Sequence, residues 1–327
     1  MVKFLIIQTA FIGDVILATP LIEKLHHFYP DSQIDFLLRK GNENLLRNHP
    51  YIDNIIVWNK KQHKVKNLFR VIKRIRQKKY DYVMNLQRFA SSGIITTFSG
   101  AKLKAGFNKN PFSFAFTRSI KHEIGNGKHE TERNLQLIEE ITDPSFYKPK
   151  LYPTTKDFEI VSQYKMHPYI CIAPTSVWFT KQFPAEKWIE LLKTIKPGYR
   201  VFLIGGPDDK ESCDNIIAES RLNNITNLAG RLTFLQTSAL MKNAAMNYVN
   251  DSAPMHMASA MNAKTTAVFC STIPGFGFGP LADDSKVVET KENLDCRPCG
   301  LHGYKKCPEE HFKCAFTINV DQLKFEL

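Results

Sequence analysis

Residues 3–8 form an apolar run closed by Gln8, and a polar turn, Thr9-Ala10-Phe11-Ile12-Gly13-Asp14, follows it. Apolar positions then recur at helical spacing as far as Phe28. A buried strand, a glycine-bearing turn and a helix are the opening of an α/β unit. Pro20 interrupts that helix and predicts either a kink or a fresh start with Thr19 as N-cap. Short apolar runs at 33–38, 55–58 and 81–86 predict further strands, with helical patterns between most of them. Strands alternating with helices predict a parallel, doubly wound sheet. Residues 106–128, rich in Phe, Asn and Gly, lack clear periodicity and predict a long loop suited to binding a ligand. Residues 130–141 return to helical spacing, opened by His129-Glu130.

Pro144, Pro149, Pro153 and Pro168 punctuate a mixed polar stretch that reads as a linker, dividing the chain into domains 1–150 and 151–327. A second α/β series follows, with strands predicted at 169–173, 200–204, 225–228, 246–249 and 265–269 and a Gly/Phe loop at 274–280. Two doubly wound domains, each with loops at the carboxyl ends of its strands, predict a cleft between them.

Charge changes the picture more than size does. The 327 residues carry a net charge of +12, which calls for an anionic partner. Between Lys60 and Lys79 there are ten Lys or Arg residues and no acid, and Val65, Leu68, Phe69, Ile72 and Ile75 recur there at helical spacing. Such a basic amphipathic helix suits an anionic membrane surface. A solvated face over an ordinary core stripe is the alternative. No nucleic-acid-binding motif is present, so nucleic acid is not an expected partner. No apolar run approaches the ~18–20 residues of a membrane helix, and the N-terminal run is too short for a signal peptide, so a cytoplasmic location is expected.

Three loops of the second domain should gather at one sheet edge: 175–181, 205–211 and 250–256. They offer Thr175, Ser176, Lys181, paired glycines at 205 and 206, and Asp251 or Ser252 as N-cap of a helix with Pro254 in its first turn. A helix end at the carboxyl edge of a parallel strand is a ready site for phosphate, and Lys181 can neutralise a diphosphate. The ligand this predicts is a nucleoside diphosphate with something attached. His256 falls near any anion held there, or is merely a surface residue of a capped helix. In the first domain, Asp14 follows Gly13 near a helix start. It is placed to act as a general base or is a plain N-cap.

Taken together, Phe-Ile-Gly-Asp-Val-Ile-Leu-Ala-Thr-Pro (11–20), Ala-Pro-Thr-Ser-Val-Trp-Phe-Thr-Lys-Gln-Phe-Pro-Ala-Glu-Lys-Trp (173–188) and Asn-Asp-Ser-Ala-Pro-Met-His-Met-Ala (250–258) resemble the lipopolysaccharide heptosyltransferases, glycosyltransferase family 9. The resemblance implies a GT-B fold and inverting transfer of a heptose from ADP-heptose to an anionic lipid-linked saccharide, the lipopolysaccharide inner core, with no metal needed for the chemistry. By position it implies Asp14 as general base, and Thr175, Ser176 and Lys181 at the diphosphate. Asp251 would hold the donor heptose, with Ser252, Ala253 and His256 at the phosphates. Leu232 would pack on adenine and Glu211 reach the ribose. His129, Glu130 and Arg133 match the family's His-Glu-x-x-Arg segment and would lie near the acceptor. The basic segment 60–79 would then meet the cytoplasmic face of the inner membrane. A nucleotide-sugar 2-epimerase, or another transferase of cell-surface glycans, is the rival reading.

All seven cysteines lie in the second half. Cys171, Cys213 and Cys270 sit in or near apolar stretches and are expected to be buried thiols. Cys296, Cys299, Cys307 and Cys314 have the spacing of a structural zinc site, with free thiols and disulfides as alternatives.

Overall fold

The computed structural model describes residues 1–60 and 62–324. The chain divides into two compact units, Met1–Tyr152 and Pro153–Leu327. The dividing point lies inside the proline-punctuated stretch, just before Pro153.

Each unit holds one six-stranded parallel sheet. In the first unit the strands are β1 (Lys3–Ile7), β2 (Gln33–Arg39), β3 (Asn54–Trp58), β4 (Tyr82–Asn85), β5 (Leu103–Phe107) and β6 (Arg118–Ile120), in the order β3-β2-β1-β4-β5-β6. In the second they are β7 (Tyr169–Ala173), β8 (Arg200–Leu203), β9 (Ile225–Asn227), β10 (Met246–Asn250), β11 (Thr265–Phe269) and β12 (Ser285–Glu289), in the order β12-β11-β10-β7-β8-β9. Both orders reverse direction beside the first strand of the unit. In such sheets the loops diverge at that switch point and open a crevice at the carboxyl ends. The fold class is therefore the α/β, doubly wound arrangement that the hydrophobic pattern predicts.

The central strands are buried on both faces, which is why they read as continuous apolar runs. Phe4, Leu5, Ile6 and Ile7 are buried in β1, as is every residue of β7, β10 and β11. The helix Ala185–Thr194 lays Trp188, Leu191 and Leu192 into the core of the second unit, and Trp188 Nε1 donates to the Pro174 carbonyl at 3.2 Å. One side chain thus joins the core to the loop after β7.

Three strands at or next to a sheet edge depart from the expectation. β6, inside the expected loop 106–128, has three residues and no fully buried one, too few to show a period. β5 ends inside that stretch and β12 is an edge strand; most positions of both are exposed or half-buried. The helix after His129 stops at Leu135, with a separate turn at Glu139–Ile141. Pro20 marks a fresh helix, Thr19–Phe28, but the N-cap is Ala18, because the Thr19 hydroxyl donates backwards to the Ile16 carbonyl at 2.7 Å.

Of the basic segment, Lys61 lies outside the described residues. The rest contains the helix Lys64–Lys78, which buries Val71, Ile72 and Ile75. Val65 and Phe69, however, are 65% and 66% exposed. The apolar stripe is not a single core face: its inner half packs and its outer half points to solvent.

Candidate active site

In the second unit the switch point lies between β7 and β10, which pair in parallel with Ala173 opposite Val249. Their carboxyl ends are tied by Asn250. Its Nδ2 donates to the Pro174 carbonyl at 2.9 Å, and its Oδ1 accepts from the Phe183 N–H at 2.9 Å. Beyond this tie stand Lys181 and Asp251, with Nζ and Oδ2 2.6 Å apart and side chains 15% and 6% exposed. Asp251 also accepts from the Thr272 hydroxyl at 2.6 Å. A nearly buried ion pair needs such extra hydrogen bonds to offset the desolvation of both charges. The ammonium keeps two further donors.

Asp251 is therefore not a helix cap. The helix Ala253–Ala260 has Ser252 at the N-cap position, but no side chain accepts from its first turn, and Pro254 lies within that turn. Ala253 opens the helix; Pro254 carries no N–H and the Met255 N–H donates to the Ser252 carbonyl at 3.0 Å, so what this end offers an anion is chiefly its positive dipole. His256 is buried, not a surface residue. Thr175 and Ser176 are half-buried on the loop after β7, and the Ser176 carbonyl accepts from Gln182 Nε2 at 2.6 Å. Lys181 and Asp251 thus meet directly, and Thr175, Ser176, Ser252, Ala253 and His256 lie on the loop and helix that follow β7 and β10. Glu211 is exposed on the first turn of Lys210–Ser220, after β8, and Leu232 is half-buried after β9. The strand order places both along the same carboxyl edge, towards β9.

In the first unit the switch point lies between β1 and β4. Asp14 sits at the third position of the short helix Ile12–Ile16, whose N-cap is Phe11, and its Oδ2 accepts from the Phe11 N–H at 3.2 Å. It is not the N-cap itself but the acid that reaches back from inside the first turn. Burial, and then the charge of Glu130, push its carboxyl up from 3.8 to about 6; the Phe11 N–H and Arg39 oppose the rise. The helix Glu130–Leu135 is drawn towards this turn by Asn134, which donates to the Leu17 carbonyl at 3.2 Å.

His129 caps that helix, its Nδ1 accepting from the Thr131 N–H at 3.2 Å. Glu130 receives Arg133 Nε at 2.7 Å and lies 3.1 and 3.2 Å from His122 Nε2. Burial alone would raise Glu130, but His122 and Arg133 together hold its carboxyl below the usual range. Two neighbouring carboxylates are thus driven apart, one kept charged by its partners and the other made basic. That is the pattern expected of a general base beside a fixed anion.

Sequence reasoning missed His122, which falls in the stretch without periodicity, and it missed Thr180, Thr272 and Asn250. A fully buried Asn at a strand end was the readable signal, since such a group must be satisfied by neighbouring backbone. It also missed Arg39 and Lys60 at the ends of β2 and β3. Lys60 Nζ donates to the Thr9 carbonyl and hydroxyl, both at 2.9 Å. Burial, with Arg39 and Lys64 nearby, lowers its ammonium to about 8.

Cys171, Cys213 and Cys270 are buried and free, as expected. Cys296, Cys299, Cys307 and Cys314 are also free thiols. Among the described residues no three His, Cys, Asp or Glu side chains gather into a set able to hold a metal ion. The four nonetheless lie near one another, since the charges of Cys296, Cys299 and Cys307 all bear on Cys314. Cys314 is sunk in the hydrophobic core, and Cys299 Sγ faces the Cys296 carbonyl at 3.1 Å.

Known proteins resemble this chain along most of its length. Residues 68–307 match glycosyltransferase family 9 (heptosyltransferase). Lipopolysaccharide heptosyltransferase 3 of Escherichia coli is 31% identical over 281 residues, 80% of this chain and 82% of that one. Among solved structures, E. coli ADP-heptose lps heptosyltransferase II superposes with a TM-score of 0.78 at 22% identity, over 91% of this chain and 95% of the other. E. coli heptosyltransferase WaaC with ADP gives 0.70 at 20% identity, over 87% and 92%. A candidate UDP-N-acetylglucosamine 2-epimerase from Listeria monocytogenes is more distant at 0.50 and 12% identity, over 81% and 78%.

Proposed function

This chain belongs to glycosyltransferase family 9, and from that premise we propose that it transfers a heptose from ADP-heptose to the inner core of lipopolysaccharide. The observation that carries the donor half of this reading is the Lys181–Asp251 pair beside the open N-terminus of Ala253–Ala260 at the switch point. A diphosphate placed there meets an ammonium with two unused donors and the positive end of a helix. Thr175, Ser176, Ser252 and Ala253 line the phosphates, Asp251 takes hydroxyls of the sugar, and Glu211 and Leu232 serve the nucleoside.

The chemistry is a single displacement. Asp14, with its carboxyl near 6, is ionised at neutral pH and basic enough to take the proton of an acceptor hydroxyl. The oxygen attacks the anomeric carbon from the face opposite ADP, so the configuration inverts. Lys181 and the helix N-terminus stabilise the charge that develops on the departing diphosphate, and no metal is required.

An anionic acceptor finds Arg39 and Lys60 at the carboxyl ends of β2 and β3, and His129, Glu130 and Arg133 beside Asp14. The exposed Val65 and Phe69 among the lysines of Lys64–Lys78 suit contact with an anionic membrane face. Among the described residues no helix is long and apolar enough to cross a membrane.

Calorimetric titration with ADP, UDP and GDP tests the donor assignment. Preferential binding of ADP supports it. Preference for UDP would retain the glycosyltransferase fold and discard the donor.

A further inference from the structure

One segment, the cysteine-bearing stretch 294–304, holds the residue beside Lys181 and the residue that hydrogen-bonds Asp251. On the lysine side, the Tyr304 N–H donates to Thr180 Oγ1 at 2.7 Å and the Thr180 N–H donates to the Tyr304 carbonyl at 3.1 Å. Ser271 Oγ donates to the same threonine oxygen at 3.0 Å, and the Cys299 N–H to the Ser271 carbonyl at 2.8 Å. Gly303 closes the contact at φ +74°. A Cβ there would stand 2.9 Å from Thr180 Oγ1, 3.1 Å from Lys181 Cγ and 3.3 Å from Ser271 Oγ. Only glycine tolerates both that backbone and that proximity.

On the aspartate side, Arg297 donates to the carbonyls of Cys270 at 2.7 Å and Thr272 at 2.8 Å, and pairs with Glu289 at 2.6 Å. Thr272 is the residue whose hydroxyl reaches Asp251. The segment thus fixes the backbone next to Lys181, and on the other side the backbone of Thr272, whose hydroxyl holds Asp251. Lys181 lies on a single turn, Phe179–Lys181, with no long element of its own to hold it.

We propose that residues 294–304 are a clamp that positions Lys181 for the diphosphate, with Thr180 and Gly303 as its positioning residues. The inference rests on the nucleoside-diphosphate reading of the site. A lysine is a point charge on a flexible stem, so its value to a ligand depends on how firmly its backbone is held. The clamp acts on the phosphates and leaves the nucleoside end of the site alone.

The experiment is calorimetric titration of the full chain with ADP and, separately, adenosine, in wild type, Thr180→Val, Thr180→Ser and Gly303→Ala. Thr180→Val is expected to weaken ADP about tenfold and to leave adenosine unchanged, while Thr180→Ser restores ADP binding. Gly303→Ala should follow Thr180→Val; if it does not fold, the threonine pair carries the test. In a Lys181→Met background, Thr180→Val should add nothing further. Equal losses for ADP and adenosine, or a loss that persists undiminished without Lys181, would overturn the clamp. Wild-type protein that fails to bind ADP would instead overturn the nucleotide reading, and the clamp with it.

Discussion

Asp14→Asn separates the charge of this carboxyl from its shape. The amide keeps an oxygen for the Phe11 N–H, so the turn should persist. The native carboxyl holds its proton up to about 6, whereas the unfolded chain releases it near 3.8. The folded state therefore binds more protons across that window, and stability falls as pH rises from about 4 to about 6. The gap between those two values sets a ceiling of about 3 kcal/mol, and solvent screening brings the expected cost to about 1–2 kcal/mol. Asp14→Asn should thus be more stable than wild type by about that amount at pH 7.5 and nearly equal to it at pH 4. Urea unfolding at the two pH values measures this. Turnover should meanwhile drop by about 10²–10⁴, the usual worth of a general base, and wild-type kcat/KM should show an acidic limb near pH 6. A variant that turns over within a few-fold of wild type would refute the assignment. So would a stability gain of equal size at both pH values, because it would not come from the charge.

Other expectations follow from the same geometry. Glu130→Gln removes the anion that helps to raise Asp14, so the acidic limb of kcat/KM should move below pH 6; a limb that stays put would disconnect the two carboxyls. Lys181→Met leaves Asp251 nearly buried with only the Thr272 hydroxyl, at a cost of about 3 kcal/mol in urea unfolding. Adding Asp251→Asn should restore the unfolding midpoint but not ADP binding, whereas recovery of both would remove Lys181 from the donor site. Phe69→Ser together with Val65→Ser should leave the stability within about 0.5 kcal/mol of wild type, since both side chains are exposed. The same pair should reduce sedimentation with anionic vesicles severalfold, and unchanged sedimentation would count against this helix as the membrane contact.

Much of the fold was legible because the central strands are buried on both faces and stand out as apolar runs. The edges were not: β6 and β12 are short and half-exposed, and their place is set by neighbouring strands and not by local pattern. At the site, Asp14, Lys181 and Asp251 could be picked out because they stand at strand ends where polar residues interrupt apolar ones. Their partners could not. His122 reaches Glu130 from a stretch with no period, and Thr272 reaches Asp251 across 21 residues of chain. The four cysteines stood out by their spacing alone. Two of them, Cys296 and Cys299, lie in the segment 294–304, whose Tyr304 N–H meets Thr180 and whose Arg297 holds the Thr272 carbonyl, contacts that the cysteine spacing does not report.

The measurement that bears most directly on the central claim is incubation of the protein with ADP-heptose and a lipid-linked inner-core acceptor, followed by mass and NMR analysis of the product. The predicted result is release of ADP and an acceptor heavier by one heptose, joined with the anomeric configuration opposite to that of the donor. Retention of the donor configuration, or conversion of a sugar nucleotide with no acceptor consumed, would contradict it.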